Sequence, residues 1–159
     1  MSIETTLVLF KKDAVERKLL GKIMERFERA GLTLEAMRMY VPKYHRTTLR
    51  AKMELHYSEE DIGARHGEAV RQQLIKHMCS GAVIAMAWSG ICAVQQVRKL
   101  VGSTDPLEAK AGTIRGDFGA DSLSMKQQSG ETVNNLVHAS SSPDEAIREL
   151  SIWFPSFTE

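Results

Sequence analysis

The spacing of apolar residues in the first half of the chain predicts alternating strands and helices. Residues 5–10 form a short β-rich run, and apolar residues recur at helical spacing over 19–27 before Gly31. Residues 32–41 begin with alternating apolar positions and end at Pro42, which predicts a second strand. The order at the N-terminal end is therefore strand, helix, strand.

The middle of the chain predicts two helices around a buried strand. Residues 68–78 and 92–101 each place apolar side chains on one helical face, and residues 82–88 form an apolar run of strand length. Residues 47–67 are dense in charge and poor in apolar side chains. We therefore expect short surface helices there, in a position to form a flap over a site.

The last third of the chain combines a long polar segment with a strand and a helix. Residues 102–134 lack apolar periodicity and predict a loop too long for a mere connector, which favours a functional role. Residues 135–137 predict a short strand. The capping box at residues 142–145 opens a last helix, which Pro155 ends.

This order of elements predicts an α/β protein built as an α+β sandwich, with helices packed on a sheet of about four strands, antiparallel or mixed. A ferredoxin-like arrangement, whose four-stranded sheet is antiparallel, fits the order. Because no repeat or linker divides the sequence, we expect residues 1–159 to form a single domain. A polar insertion is expected at about 120–134.

Composition and charge exclude several classes of protein. A chain of 159 residues that is 43% hydrophobic and 26% charged can bury one substantial core. Its net charge of +1 gives no general attraction to nucleic acid or to anionic membranes, and no apolar run is long enough to span a bilayer. Cys79 and Cys92 fit neither a disulfide framework nor a metal-ligand pattern, and the N-terminal residues lack the pattern of a secretion signal. We expect a cytoplasmic protein that requires neither membrane nor nucleic acid.

One of the five histidines stands apart as a candidate for chemistry. His45, His56, His66 and His77 lie in charged segments that are predicted to be helical and exposed. His138 instead follows a short apolar strand and precedes a helix start, so we expect its imidazole to emerge beside exposed backbone amides. On the local pattern alone, a structural histidine hydrogen-bonded to the backbone is the simpler interpretation.

Three cationic residues are candidates for binding phosphate. Lys11 follows the first strand, Arg98 lies late in a helix, and Arg115 lies in a segment whose flanking glycines allow the backbone to bend and approach a ligand. The sequence lacks the glycine-rich loop typical of P-loop nucleotide-binding proteins. Taken singly, each of these residues also fits a solvated surface charge.

Four segments together resemble the nucleoside diphosphate kinase family, in the family's order and over nearly the whole chain. They are Lys11-Lys12-Asp13-Ala14, Arg98 with Gly102-x-Thr104-Asp105-Pro106, Gly112-Thr113-Ile114-Arg115-Gly116-Asp117-Phe118, and Asn135-Leu136-Val137-His138-Ala139-Ser140. The combination is highly specific, although no segment is so alone.

The resemblance implies a ping-pong reaction that moves the γ-phosphate of a nucleoside triphosphate, typically ATP, to a nucleoside diphosphate. His138 would be phosphorylated and then discharged. An imidazole has an ordinary pKa of about 6.5, so near neutral pH its lone pair can attack phosphorus without a separate base. The resemblance also implies Mg²⁺ as cofactor, held mainly by nucleotide phosphates and water, and a homo-oligomer, either a hexamer or a tetramer.

The resemblance further assigns roles to individual residues. The expected catalytic residues are His138, Glu149, Lys11 and Ser140. The expected nucleotide-binding residues are Lys11, Tyr57, Arg98, Thr104, Arg115 and Asn135. Asn135 would hold the sugar, and Glu149 would accept a hydrogen bond from the second ring nitrogen of His138 and so select its tautomer. No protein ligand for a metal is expected.

The sequence also departs from the family pattern. Lys12, Ala82 and Ala111 replace prolines, and Ser141 replaces an aspartate. The region at 47–71 lacks the family's paired phenylalanines, so the residue that stacks on the base is unidentified.

Two alternatives to the active enzyme follow. The first is a catalytically impaired nucleotide-binding module of the same fold, against which the presence of His138 argues. The second is a single-stranded nucleic-acid binder, which would need aromatic side chains on the strands and a basic stripe; the sequence shows neither.

Overall fold

The computed structural model describes residues 3–157, and its elements follow the predicted order. The strands are β1 (Ile3–Phe10), β2 (Thr33–Tyr40), β3 (Val83–Ile91) and β4 (Val137–Ala139). The helices are α1 (Lys12–Glu16), α2 (Leu20–Arg29), α3 (Pro42–His56), α4 (Ala64–His66), α5 (Glu68–Met78), α6 (Ala93–Val101), α7 (Ile114–Phe118), α8 (Leu123–Ser129) and α9 (Pro143–Trp153). A π-helical turn at Glu59–Gly63 and a 3₁₀ turn at Pro155–Phe157 complete the described chain. Within it, every helix is too short or too polar to cross a membrane.

The four strands form one antiparallel sheet in the order β2-β3-β1-β4, which confirms the ferredoxin-like prediction. Strand β1 pairs with β3 along its whole length, from Ile3 opposite Ile91 to Phe10 opposite Ile84. The end of β1 also pairs with β4, where Leu9 lies opposite His138. Strand β4 is therefore an edge strand that rests on the end of β1. The single-domain prediction also includes residues 1–2 and 158–159, which lie outside the described residues.

Helices cover both faces of the sheet. On one face, Val8 and Phe10 pack in a core formed mainly with α2 and α6. On the other face, Leu7 and Leu9 pack in a second core with α3, α5 and α9. Because side chains alternate between faces along a strand, burial on both faces requires a continuous apolar run, and Leu7 to Phe10 form one.

The charged region after β2 folds only partly as the sequence predicts. A π-helical turn at Glu59–Gly63 and α4 are the expected short helices with no buried residues, but residues 42–56 form the fifteen-residue α3, with Pro42 in its first turn and a kink at His45. Leu49 and Met53 of α3 are fully buried in the second core. Sparse but well-spaced apolar residues are sufficient here, because α3 packs against strand and helix neighbours that supply the rest of the core.

The segment predicted as one long loop contains two short helices. Helix α7 lies in the glycine-flanked segment, and α8 lies inside the expected insertion. Ser122 caps α8 by accepting a hydrogen bond from the Met125 amide, and Gln73 Nε2 of α5 donates to the Gly130 carbonyl at 3.1 Å. The insertion therefore folds against α5.

His138 lies within β4, whereas the sequence placed it just after a strand. Leu136, two residues before His138, has a φ of 70°, which is costly for a residue with a side chain. The extended strand therefore begins only after Leu136. Two contacts hold this conformation: Asp13 Oδ2 accepts from the Leu136 amide at 3.0 Å, and the Lys11 amide donates to the Leu136 carbonyl at 2.9 Å. The start of β4 is thus set by the residues that follow β1.

Helix α9 begins at the predicted capping residues. The Ser142 hydroxyl accepts from the Glu145 amide at 3.1 Å, and the Glu145 carboxylate accepts in turn from the Ser141 amide. Pro143 occupies the first turn, where its missing N–H has no cost. This cap fixes the register of the helix that carries Glu149.

We expect Ser142→Ala to lower the free energy of unfolding by about 1 kcal/mol, because it leaves the Glu145 amide without its cap. Denaturant unfolding followed by circular dichroism measures the change. The control is Ser151→Ala in the same helix, whose exposed hydroxyl donates to the Arg148 carbonyl one turn earlier. Equal effects of the two substitutions would contradict the capping role.

Candidate active site

His138 projects from β4 toward α9, where a buried carboxylate holds one of its ring nitrogens. Its Nε2 lies 2.8 Å from Glu149 Oε1, and the second carboxylate oxygen accepts from Ser140 Oγ at 2.6 Å. The His138 side chain is 21% exposed, whereas that of Glu149 is 1% exposed. Since Nε2 is held by Glu149, Nδ1 is the nitrogen left for chemistry.

The Glu149 carboxyl is held in its ionised form. Burial by itself raises its pKa, but the charge and hydrogen bond of His138, with further contributions from His56 and Ser140, outweigh burial and lower the pKa to about 2. Because an ionised carboxylate accepts hydrogen bonds only, Glu149 requires the proton of His138 on Nε2. When the imidazole is neutral, its lone pair is therefore on Nδ1.

Lys11, Asn135 and Thr104 meet beside β4. Lys11 Nζ donates to Asn135 Oδ1 at 2.7 Å, and Asn135 Nδ2 donates to the Thr104 carbonyl at 2.9 Å. Burial, together with the nearby charge of Arg115, lowers the pKa of the Lys11 ammonium to about 8, although Asp13 opposes the shift. The loop after α6 is thus tied to the residue that follows β1.

Arg115 is buried and bonded to backbone carbonyls on every side. Nε donates to the Asn135 carbonyl at 3.0 Å and Nη2 to that of Val137 at 2.6 Å, while Nη1 donates to those of Gly102 and Ser103 at 3.2 Å each. A guanidinium has five N–H groups, so these four bonds leave one for a ligand. Arg115 therefore fastens the loop after α6 to β4.

Of the two glycines near Arg115, Gly116 is required by close packing of the chain on itself and Gly112 by its positive φ. Gly112 has a φ of 89°, and a Cβ at Gly116 would lie 2.0 Å from the Lys110 carbonyl oxygen. The sequence suggested that these glycines let the backbone approach a ligand. At Gly116, the group that comes close is the chain's own backbone.

The other predicted binding residues lie around this cluster. Arg98 is exposed at the end of α6 and near enough to Arg115 to lower the pKa of that guanidinium, which burial already lowers, to about 10. Thr104 is exposed. Tyr57 is buried, and burial, with the charge of Glu149 second, raises the pKa of its hydroxyl. All predicted site residues therefore fall in one region, at the β4 edge of the sheet.

The structure adds His56, which the sequence placed in an exposed segment. His56 ends α3, is 2% exposed, and its ring contacts that of His138 edge-on, with centroids 4.6 Å apart. Its Nδ1 accepts from Trp153 Nε1 at 3.3 Å. The apolar spacing of Leu49, Met53 and His56 along one helical face was the signal that could have shown its burial.

The fold and the site define a phosphotransferase: an ionised buried carboxylate orients a histidine on a ferredoxin-like sheet, and cationic side chains suited to phosphate lie beside it. Comparison with known families agrees. The family described as "Nucleoside diphosphate kinase" matches residues 4–158. The chain belongs to the nucleoside diphosphate kinase family.

Individual relatives are similar over nearly their whole length. The nucleoside diphosphate kinase of Staphylothermus marinus is 44% identical, covering 97% of this chain and 94% of its own, and that of Pyrobaculum aerophilum is 38% identical, covering 97% and 96%. Among solved structures, a transition-state mimic of the Borrelia burgdorferi enzyme with bound vanadate and ADP matches with a TM-score of 0.87 at 38% identity, covering 96% of this chain and 87% of that one. The activity of this chain is accordingly that of a nucleoside diphosphate kinase.

We expect Arg115→Lys to lower the free energy of unfolding by about 2 kcal/mol or more, because a lysine cannot satisfy the buried carbonyls that the guanidinium contacts. Urea unfolding measures the change. The matched control is Arg98→Lys, at an exposed side chain, for which we expect less than about 0.5 kcal/mol. Similar stability of both variants would show that Arg115 does not fasten the loop.

We expect the affinity for ADP to fall as the pH rises through about 8, because Lys11, which the resemblance assigns to nucleotide binding, then loses its positive charge. A lysine is positively charged below its pKa and neutral above it. Calorimetric titration between pH 7 and 9.5 measures the change. The Lys11→Gln variant should bind more weakly at pH 7 and show a flatter profile; a wild-type profile as flat as that of the variant would contradict the assignment.

Proposed function

We propose that the chain transfers the γ-phosphate of a nucleoside triphosphate, typically ATP, to a nucleoside diphosphate by a ping-pong mechanism through phosphohistidine at His138. The observation that carries this proposal is the pairing of His138 Nε2 with the buried Glu149 carboxylate at 2.8 Å. It leaves Nδ1 with a lone pair at a partly exposed position, beside residues suited to bind phosphate.

Glu149 would act throughout the reaction without changing its protonation state. When Nδ1 bonds to phosphorus, the ring gains positive charge, which the adjacent carboxylate stabilises. The same charge leaves when the phosphoryl group passes to the diphosphate, so one histidine serves both half-reactions. Ser140 donates to the carboxylate and accepts from the Leu7 amide at 3.3 Å, so it supports Glu149 from β1.

The cationic residues would bind the phosphates and stabilise the charge that develops during transfer. Lys11 would exchange its bond to Asn135 for a phosphate oxygen, and Asn135 Oδ1 would then be free to accept from a sugar hydroxyl. Arg98 is well suited to contact phosphate, since its side chain is exposed. Tyr57 and Thr104 would supply further hydrogen bonds, and Arg115 would contribute its remaining N–H group.

We propose that Mg²⁺ enters with the nucleotide and is held by phosphate oxygens and water, where it neutralises phosphate charge. The donor set of the described site supports this view. His56, His138 and Glu149 have potential ligand atoms within 4.8 Å of one another, but two of these atoms are imidazole nitrogens, whereas Mg²⁺ prefers oxygen ligands. These atoms are also already engaged with one another or with Trp153.

A homo-oligomer and a cytoplasmic location remain part of the proposal. Strand β2 is a sheet edge, and Met37 and Met39 on it are 55% and 44% exposed, as expected of a surface that pairs with another copy of the chain. The choice between a hexamer and a tetramer stays open. Some relatives carry chloroplastic names, among them that of Spinacia oleracea.

The test is mass spectrometry of the intact protein after incubation with ATP and Mg²⁺. We expect one acid-labile phosphoryl group on the wild type, its removal by a different nucleoside diphosphate, and no phosphoryl group on His138→Asn. The matched control is His66→Ala, since His66 is exposed in α4. Binding of nucleotide without phosphorylation would contradict the proposal and favour a catalytically impaired module.

A further inference from the structure

His56 lies in direct contact with the catalytic pair, yet the proposed reaction gives it no role. It ends α3, and its ring meets that of His138 at an interplanar angle of 84°. Its Nδ1 lies 3.5 Å from Glu149 Oε1, the same oxygen that is 2.8 Å from His138 Nε2. Two histidines thus approach one carboxylate oxygen.

The hydrogen bond from Trp153 determines which of these histidines can donate to Glu149. Indole Nε1–H only donates, and it points at His56 Nδ1 from 3.3 Å. His56 Nδ1 must therefore be unprotonated, and the proton of a neutral ring lies on Nε2. In this tautomer no hydrogen lies between His56 Nδ1 and Glu149, so Oε1 accepts from His138 alone.

Burial and the balance of the surrounding charges keep His56 neutral. The groups that face it are His138 from β4, Arg148 and Glu149 from α9, and Lys11 from the end of β1. Burial, followed by the charge of His138 and helped by Arg148 and Lys11, lowers the pKa of His56 to about 3, against the opposing effect of Glu149. A second proton, which would have to be placed on Nδ1, is therefore disfavoured.

We infer that His56 and Trp153 are positioning residues: the indole N–H holds His56 in the tautomer that cannot donate to Glu149, and so reserves Oε1 for His138. This arrangement keeps the His138 proton on Nε2 and its lone pair on Nδ1. The inference rests on the proposed function, because it concerns the orientation of the histidine that is to be phosphorylated.

The first test determines the tautomer of His56 in the wild-type protein. Nitrogen NMR of histidine-labelled wild type, with His56 assigned by comparison with His56→Phe, reports the protonation of each ring nitrogen. We expect an unprotonated, hydrogen-bonded Nδ1 and a protonated Nε2 on His56 at neutral pH. A protonated Nδ1 on His56 would overturn the inference whether or not the protein is phosphorylated.

The second test removes the indole N–H while keeping an aromatic ring. In Trp153→Phe, the His56 proton can move to Nδ1 and compete for Glu149. We expect the rate of His138 phosphorylation at saturating ATP to fall about tenfold, with KM changed less than about twofold, since the effect concerns orientation rather than binding. The fraction of His138 with its proton on Nε2 should fall in parallel.

The matched control is Trp88→Phe. Trp88 is also fully buried, but it lies in the core on the opposite face of the sheet, and its Nε1 contacts no partner among the described residues. The same chemical change there should leave the phosphorylation rate within about twofold. Equal losses of rate in the two variants would indicate general loosening of the core and overturn the inference.

A double variant separates competition from simple packing. Adding His56→Phe to Trp153→Phe removes the competing donor, so it should restore the Nε2 proton of His138 and part of the lost rate. A further fall in rate without recovery of that proton would overturn the inference. Failure of wild type to be phosphorylated would instead contradict the proposed function, which keeps the two outcomes distinct.

Discussion

The buried Glu149 carboxylate is the constraint on which the site depends. A buried charge is costly unless it is paired and hydrogen-bonded, and Glu149 meets this requirement through His138 on one oxygen and Ser140 on the other. Ser140 also accepts from the Leu7 amide of β1. Docking of α9, pairing of β4 with β1 and orientation of the histidine are therefore coupled, since displacing any of them exposes or unpairs the carboxylate.

The two-sided sheet explains how such a short strand can carry the site. Strand β4 has only three residues, yet Val137 and Ala139 are buried in the core with α2 and α6. The alternation of side chains then turns His138 to the other face, where α3 and α9 supply His56 and Glu149. At the edge of the sheet, one side of the histidine stays open, and the rigid central strand β1 holds its backbone.

Of the cationic residues beside His138, one supports the backbone and another is exposed to solvent. Arg115 directs four N–H groups to backbone carbonyls, whereas Arg98 stays exposed next to it. Lys11 is buried but bonded to the side-chain oxygen of Asn135, which a phosphate oxygen could replace. These close cations, which Asp13 offsets only in part, raise the local positive potential, which favours polyanionic phosphates. An arginine, although suited to binding phosphate, can thus stabilise the fold at the site itself, as Arg115 does.

Apolar periodicity and short motifs are local properties, so the amino-acid sequence predicted the order of the strands and, through the resemblance, the ferredoxin-like sheet and the family. It also singled out His138 and Glu149 as a pair, through the resemblance. Only the tertiary structure showed that His56 is buried beside them and that Arg115 is engaged with carbonyls. It also put the start of β4 at Val137, after Leu136, whose φ of 70° depends on Asp13. The helical spacing of Leu49, Met53 and His56 is a local signal of burial. The contact of His56 with Trp153, in contrast, joins residues far apart in the chain, and no local pattern encodes such a contact.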